Sequence, residues 1–317
     1  MVPVSHSAKI EETNHEIHCV PCGWPGVAAA ESALLGRPAS CGRLVLTLVG
    51  LYAAPGDADI GGDGGEFSLQ RADLAARLDY LWNPRAALGI SVGGGLSRYG
   101  FTGNSGLTPG EPWEDIEDWR VSLVSRFPIN DRVSGLIIPS YRVNRESGAS
   151  TSGADTWGLL AGVSWRLRPG LTLGPGIGVF ERLEESTAVF PILVIDWDIT
   201  ERWNLSTGRG LAASQGPGLT LGYTLNDDWT LNLVGRYEQI DFRLDDEGPA
   251  PGGIGRDEVF PLVLGAEWSP NPGTRLGFFL GGEFGGELEL ADPMGEVSAR
   301  SDYDTALIAG ASFSLRF

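Results

Sequence analysis

From residue 67 onward, apolar and polar residues alternate with a period of two, and the alternation restarts repeatedly along the chain. In RADLAARLDYLW, Ala72, Leu74, Ala76, Leu78, Tyr80 and Trp82 share one parity, while Arg71, Asp73, Arg77 and Asp79 share the other. Successive side chains of a strand point to opposite faces of a sheet, so this stretch is a strand with one apolar face. NPRA then turns the chain and ALGISVGGGLSRYGF runs back. The same unit recurs as DWRVSLVSRF into RVSGLIIPSYRV, TWGLLAGVSWRL into LTLGPGIGVF, and AVFPILVIDWDI into WNLSTGRGL. GLTLGYTL into WTLNLVGRYEQIDFRL, and VFPLVLGAEW into TRLGFFLGGEFGGELEL, continue the series. Such short turns cannot carry a parallel crossover, so these are antiparallel hairpins.

Thirteen strands are expected from residue 67 to the terminal TALIAGASFSLRF, and RLVLTLVGLYAA (43–54) as a first strand makes fourteen; twelve is the alternative count. Between the tight turns lie longer, acidic connections at 102–117, 144–156, 184–187, 212–217, 245–258 and 291–302. Short turns at one end and long loops at the other are how an outer-membrane barrel is strung. The fold expected is all-β: a transmembrane antiparallel up-and-down barrel over 43–317, preceded by a disordered or mis-started leader over 1–42.

Alternation also suits a soluble barrel with its apolar face inward. Three features favour lipid. Trp82, Phe127, Trp165, Trp197, Trp203, Trp229, Trp268 and Phe317 lie beside the tight turns, where an aromatic girdle meets the membrane boundary. The less apolar face carries charges deep within strands: Arg77, Arg120, Arg126, Arg142, Arg166, Asp196, Arg236, Glu238, Glu267 and Glu283 are candidate lumen-lining residues. That face is also rich in glycine, as at Gly89, Gly93, Gly174, Gly176 and Gly178, which suits a crowded interior.

Composition agrees. The chain has 317 residues with 46 Gly and 10 Trp, and its longest apolar run, LVLTLVGLYAA, is too short for a membrane helix. The mean hydropathy of −0.03 is expected where only one face of each strand meets lipid. With 23 basic against 41 acidic residues and a net charge of −18, nucleic-acid binding is not expected.

All three histidines (His6, His15, His18) and all three cysteines (Cys19, Cys22, Cys41) precede the strands. A Ser-His nucleophilic pair therefore cannot be built within the barrel, and no catalytic residue is expected. Loop acids Asp115, Glu117 and Asp118 could share a water in an acid-only mechanism, but a solvated acidic loop explains them more simply. His15, His18, Cys19 and Cys22 are four borderline metal ligands within eight residues, too cramped for a tetrahedral site, so neither metal nor cofactor is expected. GRLVLTLVGLYAA reads either as a signal segment or as the first strand.

By strand parity, inward Arg residues roughly equal the inward acids, among them Asp73, Asp79, Asp198, Glu287 and Asp304. Balanced charges pair across a lumen, whereas an ion-selective pore favours one sign. Ile138, Ile192, Val194 and Phe279 also point inward. A narrow channel or passive structural barrel follows, with a ligand or surface-interaction module acting through the acidic loops as the alternative. The apolar parity changes between Tyr237 and Ile240, which predicts a β-bulge near Gln239.

The stretch DWDITERWNLSTG…GPGLTLGYTLNDDWTLNLVGRYEQIDFRL (196–244), VFPLVLGAEWSPNPGTRLGFFLGGEFGGELEL and a closing strand ending in Phe resemble a family of Gram-negative outer-membrane β-barrels of unknown function. GGEFSLQRADLAARLDYLWNPRAALGISVGGGLSRYGF is similar to that family's first hairpin, so the resemblance covers most of 43–317. The residues carrying it, Trp197, Trp203, Gly216, Pro217, Gly218, Tyr223, Trp229, Phe242, Arg243 and Leu244, are architectural. The resemblance implies an outer-membrane address and carries no activity. The partners it implies are outer-membrane lipid and lipopolysaccharide, together with the barrel assembly machinery, which would read the C-terminal strand ending in Phe317. A small solute is left unspecified.

Overall fold

The computed structural model describes residues 42–60, 65–103, 106–107, 111–184, 187–207 and 218–317. The leader to residue 41, with its His and Cys cluster, and the motif residues Gly216 and Pro217 lie outside the described residues. The chain forms one closed antiparallel barrel of fourteen staves. They are β1 (Arg43–Pro55, continued by Ala58–Ile60), β2 (Gly65–Asn83), β3 (Ala86–Thr102), β4 (Asp115–Pro128), β5 (Val133–Glu146), β6 (Asp155–Arg168) and β7 (Leu171–Phe180). There follow β8 (Ala188–Asp198), β9 (Trp203–Thr207), β10 (Gly218–Thr224), β11 (Trp229–Arg236 with Glu238–Arg243), β12 (Ile254–Asn271), β13 (Thr274–Ala291) and β14 (Val297–Tyr303 with Ala306–Arg316). Each stave pairs with its sequence neighbours, and β14 closes on β1 from Thr47 opposite Arg316 to Pro55 opposite Ile308. A closed ladder is what a lipid environment demands of a sheet.

Closure reaches the last residue. The amide of Phe317 donates to the Leu46 carbonyl at 2.9 Å, and the amide of Leu46 donates back to the Phe317 carbonyl at 3.2 Å. The terminal strand is therefore held in the ladder along its length rather than fraying.

The two faces separate as the alternation requires. Leu74, Ile90, Leu123, Leu193, Leu264, Phe278 and Leu280 are exposed on the outside of the barrel. Their strand neighbours Ala75, Val124, Asp196, Val263 and Phe279 are buried on the inside. An exposed apolar coat around a closed barrel is the surface of a membrane-spanning protein.

Stave length is uneven, and this shapes the interior. The fragments of β2, β3, β12 and β13 run 19, 17, 18 and 18 residues, whereas β7 and β8 run 10 and 11. The apolar alternation in the long staves marks only their lipid-facing part; they continue beyond it at the loop end. There β11 crosses to β5, with Arg243 lying parallel to Arg145 and the Asn144 amide donating to the Asp241 carbonyl at 3.1 Å. Staves β1–β5 and β11–β14 thus enclose a core of their own at the loop end.

The expected bulge near Gln239 is absent. Gly235 stands opposite Leu262 and Glu238 opposite Val259, so the register of β11 against β12 is the same on both sides of Tyr237. What changes is the surroundings. Past Tyr237 the stave leaves the lipid zone, so its outer positions Gln239, Asp241 and Arg243 become polar, while Ile240, Phe242 and Leu244 turn into the loop-end core. The irregularity lies two staves away, where Gly285 adopts φ 61° and the register of β12 against β13 shifts between Glu258 and Phe260. The extra residue reverses parity beyond it. Leu288 and Leu290 therefore face the core, and Glu287, expected inside, meets Arg300 on the outer face.

Candidate functional site

The lumen holds the candidate chemistry. On β2, β4 and β5, alternate inward positions interlock acids with guanidinium groups. Arg120 reaches both Asp73 oxygens at 2.5 and 2.7 Å and Asp118 at 2.5 Å; Arg142 stands 3.5 Å from Asp118, and Arg77 lies 2.6 Å from Asp79. Every basic residue from β1 onward is arginine, the only lysine being Lys9. The planar guanidinium fork can satisfy two carboxylates at once, which an ammonium on a flexible stem does less well.

Deeper toward the loop end sits a second polar node, built from six staves. Arg71 contacts Glu238 at 3.1 Å and Asp257 at 3.9 Å, and its Nε donates to Ser97 at 3.2 Å. The Tyr99 hydroxyl donates to Asp257 at 2.9 Å and that of Tyr303 at 3.3 Å. Arg236 also pairs with Glu238. Glu283 turns in from β13; it is 3% exposed, and its Oε2 has no hydrogen-bond partner among the described residues.

Above the node the bore is filled by aromatic side chains. Phe67 packs on Tyr303 at 4.8 Å between centroids, Phe101 on Trp113 at 5.6 Å and Trp113 on Phe242 at 5.1 Å, the last two edge to face. Ile60, Leu288 and Phe242 are fully buried among them. Staves β2, β3, β11 and β14 and the segment before β4 supply these rings, so the cluster fills the loop end enclosed by β1–β5 and β11–β14. The loops are stitched over it: Glu146 accepts the amides of Glu114 and Asp245 at 2.8 and 3.0 Å. Arg243 donates to the carbonyls of Gly153 and Gly252 and pairs with Glu184 at 2.6 Å.

All ten candidate lumen residues fall on the inward parity. Arg77, Arg120, Arg142, Arg236, Glu238 and Glu283 join the two networks above. Arg126 donates to the Pro84 carbonyl at 2.8 Å near a tight turn, Glu267 lies 3.9 Å from Arg275, and Arg166 and the buried Asp196 stand on the inner faces of β6 and β8. Asp115 and Glu117 instead pair with Arg98 and Arg145, and Asp118 with Arg120 and Arg142, so these acids do not form a water-sharing pair. Among the described residues no group of His, Cys, Asp and Glu is arranged to hold a metal.

The girdle residues Trp82, Phe127, Trp165, Trp203, Trp229, Trp268 and Phe317 are exposed on the outer face, with Trp197 half-buried beside them. Trp229 and Trp268 stack at 6.4 Å across β11 and β12. Sequence reasoning missed a second outer band formed by Trp119, Trp157, Tyr237, Phe260 and Phe284. Its signal is a spacing of eight on one parity: Phe127 with Trp119, Trp165 with Trp157, Trp229 with Tyr237, Trp268 with Phe260. Eight residues span about 26 Å along a strand, or about 20 Å once tilted by about 40°. That is close to the height of the apolar belt of a membrane barrel, about 25 Å. The aromatic plug was also missed, because Ile240, Phe242 and Leu244 read as a register change.

No family model and no curated protein matches the chain. Among solved structures it is similar to the TodX monoaromatic hydrocarbon channel deltaS2 mutant, with 11% identity, a TM-score of 0.49 and coverage of 86% of this chain and 90% of that one. A Pseudomonas aeruginosa FadL homologue gives 13% identity, a TM-score of 0.43 and coverage of 86% and 89%. An outer membrane channel from Pseudomonas putida F1 gives 11%, 0.42, and coverage of 86% and 95%.

Proposed function

We propose that this chain is an outer-membrane β-barrel acting as a narrow transport channel without enzymatic activity. The observation carrying this reading is the filled loop end: the Arg71 node and the Phe67–Trp113–Phe242 cluster pack the interior between β1–β5 and β11–β14. Among the described residues, lumen charges paired with one another form no single-signed ring to select ions. The apolar coat with aromatic bands at both borders supports the membrane location, and the lack of histidine after His18 argues against acyl transfer or His-assisted hydrolysis. The test is swelling of proteoliposomes in sugars of graded size, with the refolded protein as sole channel. Entry of small sugars with exclusion of large ones supports the reading; rapid entry of large oligosaccharides contradicts it.

A second reading, surface interaction through acidic loops, is favoured by the exposed Asp246 and Glu247 at the tip of the 244–253 loop. Asp246→Asn with Glu247→Gln tests it without disturbing the plug, because neither side chain is buried. Loss of surface binding with solute flux retained would support this reading over the first.

A further inference from the structure

The inner wall is not uniform. Next to the ion-paired belt, with β6 between, the inward positions of β7 from Leu171 to Phe180, and of β8 from Ala188 to Val194, carry no charged residue; the inward charges of this wall, Arg166 on β6 and Asp196 on β8, stand at its turn end. Phe180 on β7, and Phe190, Ile192 and Val194 on β8, project from this wall and stay half-buried, whereas Leu160 on β6 packs against Val124, Leu136 and Ile138. The other inner apolar clusters are closed: Val124, Leu136 and Ile138 are at most 8% exposed, as is Phe279. The inner faces of β7 and β8 at Phe180, Phe190, Ile192 and Val194 are thus an apolar surface that stays partly accessible inside the barrel.

Its shape is set by glycine. A Cβ at Gly158 would stand 2.6 Å from the Phe180 ring, and one at Gly178 would stand 2.6 Å from Phe190, so both rings occupy space that a side chain would take. The rings stack at 5.5 Å and 6°. Water against such a surface is costly, at about 25 cal/mol per Å² of apolar area, and a solute of matching polarity would displace it. The charges around it favour an uncharged solute: Asp196 on β8 is buried and accepts from Asn204 at 3.2 Å, and Arg120 and Arg142 are engaged by Asp73 and Asp118, so each would have to give up a partner to hold an ionic one.

We propose that the β6–β8 inner wall, centred on Phe180 and Phe190, is a binding recess for a small uncharged solute with an aromatic or aliphatic body. As a transport subsite it rests on the channel reading, although its binding is measurable without flux. Recesses of this kind, largely apolar and open on one side, are where small ligands are held.

The experiment is equilibrium dialysis of 2-naphthol, uncharged at neutral pH, and of 2-naphthalenesulfonate against refolded protein in amphipol, with folding checked by heat-modifiable gel mobility. Saturable binding of naphthol but not of the sulfonate is expected in the wild type. Binding about tenfold weaker is expected in Phe190→Ser and in Ile192→Asn, the change that losing roughly one ring or branched side chain of apolar contact gives. Ile192→Asn stands alone if Phe190→Ser does not fold, and Leu193→Ala, on the lipid face, should bind as wild type. Absence of saturable naphthol binding, equal affinity in folded Ile192→Asn, or tighter sulfonate binding overturns the proposal. Sugar flux without naphthol binding would remove the recess and leave the channel; naphthol binding without any flux would do the reverse.

Discussion

Arg71 on β2 and Glu238 on β11 are 167 residues apart in sequence, yet their side chains meet at 3.1 Å inside the barrel. Asp257 lies on the same guanidinium and is held by the hydroxyls of Tyr99 and Tyr303. One side chain thereby ties walls that the backbone ladder joins only around the circumference. Removing one partner of a buried pair strands the other charges, so Arg71→Met should cost about 3–5 kcal/mol. Asp257→Asn in the same chain should recover part of that loss. Urea unfolding followed by gel mobility measures both; equal midpoints for Arg71→Met and wild type would show that the node contributes nothing.

Gly285 separates conformational cost from steric cost. Its φ is 61°, and a Cβ there would meet nothing within 4 Å. Gly285→Ala should therefore destabilise by about 1–2 kcal/mol through backbone strain alone, and Gly285→Asn by less, because Asn enters the left-handed region more readily. Unfolding midpoints in the order Gly, Asn, Ala are expected; an alanine variant as stable as wild type would count against the bulge.

Deleting Phe317 removes the reciprocal amide pair with Leu46 and one exposed ring of the girdle. At about 0.5–1.5 kcal/mol per hydrogen bond, the barrel should lose roughly 1–3 kcal/mol. The folded fraction after refolding into lipid vesicles reads this directly, with Phe317→Tyr expected to refold as wild type because it keeps both bonds and the aromatic ring.

Much of this architecture was legible in sequence because lipid imposes one rule on every stave. A closed barrel with a period of two leaves the outer face apolar, so Leu74, Leu193 and Leu264 announce the strand and its orientation together. The inward placement of Arg77, Arg120 and Glu283 follows from the same parity. The rule lapses where the chain leaves lipid. Beyond Tyr237 the core moves inside the barrel, and Ile240 and Phe242 then mimic a register shift; beyond Gly285 a real shift goes unseen, since Leu288 and Glu287 exchange faces without breaking the alternation. Partner choice was not legible either. Parity places Arg71 in the lumen but cannot say that β11 and β12 lie opposite, because that depends on closure of the whole barrel.

The plug is the feature on which the narrow-channel account depends, and Trp113 and Phe242 are its edge-to-face pair at 5.1 Å. Truncating a buried aromatic costs about 3–5 kcal/mol, so folding must be verified before conductance is compared. The most direct measurement is single-channel conductance in planar bilayers for the refolded wild type and for Trp113→Ala. The account predicts small events in the wild type and a several-fold increase in the variant. Large, wide-pore conductance in the wild type, unchanged in a folded Trp113→Ala barrel, would contradict it.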